Sequence, residues 1–258
     1  MRSGNIFIGY YRLILFVILA LFISWRYANS GEKISANNQV PVLSYHNVQT
    51  NTKKPSAYFI SSIAFEKQIK HLKENGYHTV LPDDIYNHYT KGSKLPEKPI
   101  MLSFDDTRKE HFKIVAPILE KYGYKGTFFI MTVAIGKKNY MTTSDIKMLS
   151  DNGHCIGHHT YDHQDLRKLP VKEWNTQIDK PKKKLEEIIG KEVQYLAYPF
   201  GLCNDYALTE LKKRNFKAAF QLSGKQDKSD PLFTIRRIIV PGNWDGVRLL
   251  KEISASFR

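Results

Sequence analysis

Residues 99–107 read PIMLSFDDT. Ile100, Met101, Leu102 and Phe104 form a near-continuous apolar run, the pattern of a strand buried on both faces. The run stops on two adjacent carboxylates, Asp105 and Asp106. Two like charges side by side cost free energy unless a cation or a proton is shared between them. Asp is also common where strands end in turns. These residues alone therefore leave two readings open: a turn, or a catalytic base beside a metal ligand.

Working outward, helical and strand patterns alternate on both sides of this run. A first short strand spans 40–45. A helix is predicted over 62–76, with Phe65, Ile69 and Leu72 on one face and Gly76 as its stop. A short strand at 77–81 and a short helix at 83–89 precede the opening stretch. After it come a helix at 109–122 ended by Gly123, a strand at 126–131 (GTFFIM) and a helix at 145–152 that Thr143 can cap. A strand at 154–158 leads to a long amphipathic helix at 171–189, disturbed at Pro181. Strands at 194–198, 217–222 and 233–240 and helices at 205–215 and 247–253 complete the chain. Alternation of this kind predicts an α/β fold, a parallel sheet covered by helices. The count of about seven strands favours a distorted (β/α) barrel. An open doubly wound sheet is the alternative, but no G-x-G-x-x-G follows the first strand, which removes its commonest cofactor reading.

The N-terminus has a different character. Residues 13–23 are unbroken apolar sequence, Arg2 and Arg12 precede them, and no acid occurs before Glu32. This predicts an N-terminal hydrophobic helix at 1–28 that is either an export signal peptide or a membrane anchor. A polar linker at 29–39 follows, and the catalytic domain is expected at 40–258. The protein is thus expected to be exported, and to be secreted or held at the cell surface. The chain of 258 residues is 42% hydrophobic and 25% charged, long enough for one large core. Its 39 Lys and Arg against 25 Asp and Glu give a net charge of +14, which suits an anionic cell envelope or membrane surface. Nucleic acid is not expected as a partner, because the lysines are scattered over helices (Lys180, Lys182, Lys183 and Lys184 among them) with no basic-aromatic groove. No protein partner is indicated. Cys155 and Cys203 either pair or sit apart as small core residues.

Polar residues gather where the predicted strands end: His46, then Asp105 and Asp106, then His158, His159 and His163, then Tyr198-Pro199-Phe200-Gly201. In a parallel barrel that face carries the active site. The segment HTYDH, 159–163, places two histidines four apart, which on a helical turn would point the same way. Two imidazoles and a carboxylate, with Asp106 as the third member, make a facial ligand set for a divalent metal. A pair of surface histidines is the plainer reading of H-x-x-x-H, which lacks the Glu of the zinc-protease helix motif. His158, next to His159, is expected to be structural. Trp244 and Tyr161 either stack on a sugar or belong to the core. The segment 49–61 follows the first strand and is placed to shape a groove.

SFDD at 103–106, HTYDH at 159–163 and AYPFG at 197–201 together resemble the polysaccharide deacetylases of carbohydrate esterase family four, over roughly 40–240. SYHNV at 44–48, AYPFGLCND at 197–205 and RIIV at 237–240 are similar to the branch of intercellular-adhesin deacetylases that act on poly-β-1,6-N-acetylglucosamine. The chain departs from many family members in two ways: Ala197 stands where they have arginine, and no histidine follows His163.

The resemblance implies a metal-dependent hydrolase that removes N-acetyl groups from an extracellular N-acetylglucosamine polysaccharide. Poly-β-1,6-N-acetylglucosamine is its first expected substrate, with peptidoglycan or chitin-type oligomers as the alternative. It further implies Asp106, His159 and His163 as metal ligands and Asp105 as general base. His46 would be the general acid, the Phe200 backbone N–H an oxyanion donor, and Arg237 the group that orients Asp105. The cofactor expected is Zn2+, with Co2+, Ni2+ or Mn2+ acceptable to the same donors. A tethered carbohydrate-binding protein with a vestigial site, and a metal-dependent phosphoesterase, are the rival readings.

Overall fold

The core strands are short, apolar and mostly buried from end to end, as a parallel sheet with both faces covered requires. The computed structural model describes residues 39–50, 54–222 and 224–257. The signal or anchor expected at 1–28, and nearly all of the linker at 29–39, lie outside the described residues. Residues from Asn38 to Arg258 form one unit. Among the described residues no helix is long and apolar enough to cross a membrane.

The chain begins with β1 (Val42–Tyr45) and a small parallel pair, β2 (Asn47–Gln49) with β3 (Phe59–Ser61). Then follow α1 (Ser62–Glu74), β4 (His78–Thr79), α2 (Pro82–Lys91), β5 (Pro99–Phe104), α3 (Ala116–Lys121), β6 (Thr127–Ile130), α4 (Thr143–Asp151) and β7 (Cys155–His158). The second half holds α5 (Lys180–Ile189), β8 (Tyr195–Ala197), α6 (Asp205–Lys213), β9 (Ala218–Gln221), β10 (Ile235–Arg236), β11 (Ile238–Ile239) and α7 (Gly246–Ser256). The strands pair in the order β10-β9-β8-β7-β6-β5-β1-β11, all parallel, and β4 adds to β5 at the side. Only Arg237 separates β10 from β11. One interrupted strand thus pairs β9 on one side and β1 on the other. Counted so, the ring has seven strands and is the distorted (β/α) barrel expected, not an open sheet.

Alternation along each strand sorts the residues. Leu43, Tyr45, Leu102, Phe104 and Phe128 face outward and pack under the helices with Phe65, Ile69 and Leu119. Val42, Met101, Phe129, Ala197 and Phe220 fill the interior, and Ile85 of α2 packs with them. Phe129 fits because Gly157 stands beside it: a Cβ there would lie 2.5 Å from two ring carbons.

Two local expectations need correction. Thr142, not Thr143, caps α4, its hydroxyl accepting from the Asp145 N–H. The strand expected over 233–240 breaks at Arg237. The disturbance expected at Pro181 in the helix over 171–189 is present and takes the form of a π turn at Asn175–Asp179 before α5. Pro181 explains it. Proline offers no N–H, and in a regular helix its ring collides with the carbonyl four residues back, here that of Gln177. The turn widens instead, and Lys180 N–H bonds Asn175 O. The same occurs before Pro117, where the π turn His111–Val115 closes with Ala116 N–H on His111 O.

Candidate active site

Four of the strands place candidate residues just past their C-terminal ends. His46 follows β1, Asp105 and Asp106 follow β5, His159 follows β7, and Tyr198 to Phe200 follow β8. Met101 and Ser103 point into the barrel, so Asp105 does too. Asp106 and Thr107 then turn the chain sharply, both in the left-handed region with φ of 75° and 61°. That conformation costs non-glycine residues about 1–2 kcal/mol each. Hydrogen bonds hold it: Asp105 N–H donates to Tyr45 O (3.1 Å), and the Thr107 hydroxyl accepts from Met131 N–H (2.8 Å).

Asp106, His159 and His163 converge. His159 Nε2 lies 3.7 Å and His163 Nε2 4.0 Å from Asp106 Oδ1. One donor atom from each of the three falls within 4.8 Å of the others. His159 Nδ1–H donates to Ala197 O (2.8 Å), which leaves the Nε2 lone pair toward Asp106. Burial lowers the pKa of His159, against the pull of Asp105 and Asp106. Neutral imidazole nitrogen and carboxylate oxygen at this spacing fit a divalent ion with ligand bonds of about 2 Å. The histidines are not on a helical turn, as their spacing suggested. Thr160 and His163 are left-handed (φ 63° and 71°), and His163 N–H donates to the Thr160 hydroxyl (2.8 Å). His158 is structural, as expected. Its Nδ1 accepts from Thr160 N–H (2.9 Å), its Nε2–H donates to Ile178 O (3.2 Å), and burial pushes its pKa down to about 3.

Asp105 sits beside this triad. Arg237 Nη1 donates to Asp105 Oδ1 (2.8 Å) and to the Ser103 hydroxyl (3.2 Å), and that hydroxyl donates to Leu43 O (2.8 Å). Asp105 and Arg237 are each 1% exposed, so the pair is fully buried. Arg237 Nε and Nη2 are buried without a hydrogen-bond partner among the described residues, its guanidinium lies over the Phe129 ring at 5.4 Å, and Asp105 is its hydrogen-bonded counter-charge. Burial by itself would raise the Asp105 carboxyl. Arg237, His159 and His46 outweigh it and hold the group well below the usual carboxylate range. On the other side, His46 Nε2 lies 3.9 Å from Asp105 Oδ2. Burial lowers the His46 pKa, against the pull of Asp105 and Asp106.

Sequence reasoning did not single out His111. Its Nε2–H donates to the backbone carbonyl of His46 (2.6 Å) from the π turn before Pro117, and it is fully buried. A histidine inside an apolar helical stretch was the available signal.

The site opens into a cleft of about 330 Å³, lined also by Asn47, Tyr58, Tyr198, Phe200, Leu222 and Ile239. Tyr58, from the segment expected to shape a groove, is half exposed and sets its ring edge-on to His46 at 5.0 Å. Phe200 is 60% exposed, with its ring 4.5 Å from that of His163. It is left-handed (φ 60°), and its backbone N–H donates to no group among the described residues. Trp244 and Tyr161 are not among the cleft residues; Trp244 packs against the main core. Gly201 lets the loop reach its place. It has φ 69°, and a Cβ would lie 2.5 Å from Leu222 N. Gly201→Ala is therefore expected to lower stability by about 3 kcal/mol, from overpacking plus left-handed strain, read as a shift of the denaturant midpoint.

Residues 92–219 match the family model for polysaccharide deacetylase. The chain is 28% identical over 215 residues to poly-β-1,6-N-acetyl-D-glucosamine N-deacetylase of Staphylococcus aureus, covering 73% of each. The polysaccharide deacetylase BC0361 of Bacillus cereus superposes with a TM-score of 0.73 at 28% identity, over 83% of this chain and 69% of that one. IcaB of Ammonifex degensii superposes with a TM-score of 0.68 at 26% identity, over 79% and 92%.

Proposed function

Because the chain belongs to the polysaccharide deacetylase family, we propose that it hydrolyses the N-acetyl amide of an N-acetylglucosamine polymer, poly-β-1,6-N-acetylglucosamine first among them. The family makes it a hydrolase of non-peptide C–N bonds with a polysaccharide substrate. The observation that carries the reading is one open cleft holding an Asp106–His159–His163 donor set next to a buried, ionised Asp105. The polymer assignment is supported by the Staphylococcus aureus relative.

Asp106, His159 and His163 would hold the divalent cation, Zn2+ first, with Co2+, Ni2+ or Mn2+ acceptable to the same donors. When bound, such an ion lowers the pKa of water and polarises a carbonyl. Asp105 takes the proton from the attacking water, with Arg237 fixing which of its oxygens is free. Arg237 uses Oδ1, so Oδ2, on the His46 side, is the basic atom. The Phe200 N–H donates to the oxygen that becomes negative as the acetyl carbon turns tetrahedral. His46 gives a proton to the departing nitrogen, the C–N bond breaks, and acetate and a free amine leave. The exposed rings of Tyr58 and Phe200 offer apolar faces to the sugar.

We further place the protein outside the cytoplasm, at the cell surface or secreted. Its net charge of +14 draws it toward an anionic envelope.

Mass spectrometry of products tests the function. The full chain, loaded with Zn2+, is incubated separately with β-1,6 N-acetylglucosamine oligomers, chitin oligomers and muropeptides. Acetyl loss from the β-1,6 series alone is expected. Loss from another series instead would move the substrate and leave the chemistry. Chelation is expected to stop acetate release and added Zn2+ to restore it; release that survives complete metal removal would sink the metal assignment.

A further inference from the structure

The loop that carries His163 has little regular structure of its own, so something else must keep its two ligand histidines in register. One side of the loop is held by the end of β6: Thr132 N–H and Val133 N–H donate to the carbonyls of Thr160 (3.3 Å) and Tyr161 (2.9 Å). The other side is held by the π turn Asn175–Asp179. Gln177 Oε1 accepts from Tyr161 N–H (3.3 Å) and, at 3.5 Å, from Asp162 N–H. Its Nε2 donates to Asp162 Oδ1 (2.8 Å). The next residue, Ile178, receives the Nε2–H of His158. Two consecutive residues of one π turn thus grip the chain just before His159 and just before His163. Gln177 is 5% exposed and is not among the cleft residues, so it meets neither substrate nor metal.

The turn itself is the second half of the observation. One residue inserted into a helix rotates what lies beyond it by about 100°, since a helix has 3.6 residues per turn. Here the insertion stands next to Pro181, whose ring would otherwise meet the Gln177 carbonyl. Pro181 therefore sets the direction in which Gln177 and Ile178 face. π turns recur at functional sites for this reason. The turn before Pro117 does a parallel job, presenting His111 to the His46 carbonyl.

We propose that Gln177, aimed by the proline-induced π turn, is a positioning residue for the metal centre: it holds the 160–163 loop so that His163 stays opposite Asp106. The inference rests on reading Asp106, His159 and His163 as metal ligands, and its test keeps the two apart. Residues that orient ligands from behind usually change metal affinity by about 10–100-fold when replaced. Gln177→Met keeps the volume and removes all three hydrogen bonds. Pro181→Ala touches nothing in the loop but returns the missing N–H, letting the helix close without the extra residue.

Co2+ is titrated into the metal-free full chain, wild type and both variants, with affinity read by competition against a chromophoric chelator. The visible Co2+ bands report ligand geometry, and far-ultraviolet circular dichroism reports folding. Both variants are expected to stay folded, to bind Co2+ at least tenfold more weakly, and to show altered bands. A folded Gln177→Met protein with wild-type affinity and bands overturns the proposal. Should Gln177→Met fail to fold, Pro181→Ala decides, and unchanged affinity and bands there overturn it. A wild-type chain that takes up no Co2+ overturns the metal reading and this inference with it.

Discussion

Asp105→Asn is expected to leave a folded chain that still takes up a divalent cation but releases acetate at least a thousandfold more slowly. The amide has nearly the shape of the carboxylate and can keep the Arg237 Nη1 contact through its oxygen. What it cannot do is accept a proton from water. General base catalysis is worth about 10²–10⁴-fold, and the loss here falls in the upper part of that range because Asp105 is the only acid besides Asp106 among the cleft residues. Initial rates at matched metal content are the measurement. A variant with bound metal and a rate within tenfold of wild type would mean that another group moves the proton.

Arg237→Met carries the largest expected effect on stability. It removes the counter-charge of a carboxylate that is 1% exposed, and breaking one side of a buried pair costs about 3–5 kcal/mol. The dependence on pH separates this from simple loss of packing. In the wild type the folded carboxyl titrates below its ordinary value of 3.8, so its contribution is present above that pH and is lost as pH falls toward the depressed folded value. In the variant only His159 and His46 are left to oppose burial, so the carboxyl titrates higher than in the wild type. The destabilisation is then largest near neutrality and shrinks as acid protonates the group. Urea unfolding of both proteins between about pH 3 and pH 7 reads the difference. A gap that stays constant over that range would show that the guanidinium acts as filler. Acetate release should fall as well, since Oδ2 is no longer singled out as the base.

The barrel could be read from the sequence because its strands are apolar on both faces. PIMLSF and GTFFIM leave little else to propose, and the glycines that close the intervening helices mark the units. The interruption at Arg237 could not be read, since an arginine inside RIIV looks like any edge residue until its burial is known. The gathering of Asp105, Asp106, His159 and His163 at one site was legible because these residues stand next to strand ends. Their local geometry was not. Thr160 and His163 are left-handed, and nothing in HTYDH announces that; the four-residue spacing pointed to a helical turn instead. His111 and Gln177 escaped notice for a related reason. Each acts on the backbone of a remote or irregular segment, His111 on a carbonyl 65 residues earlier, and a backbone partner leaves no mark in side-chain types. Both owe their direction to a nearby proline, and of the two only Pro181 was read from the sequence, as a disruption.

The interrupted strand also bears on the order in which a ribosome delivers this protein. Asp105 and Arg237 are 132 residues apart, and the chain grows from the His46 side. When the first six ring strands have emerged, the carboxylate still lacks its counter-charge, and the edges of β1 and β9 wait unpaired. Unpaired edges are templates for wrong association, and late long-range closure is slow. Residues 235–239 end both conditions at once, pairing the two edges and bringing the guanidinium. A nascent or prematurely terminated chain therefore holds Asp105, Asp106, His159 and His163 in an unclosed barrel, and the cleft is complete only when translation has passed the last strand.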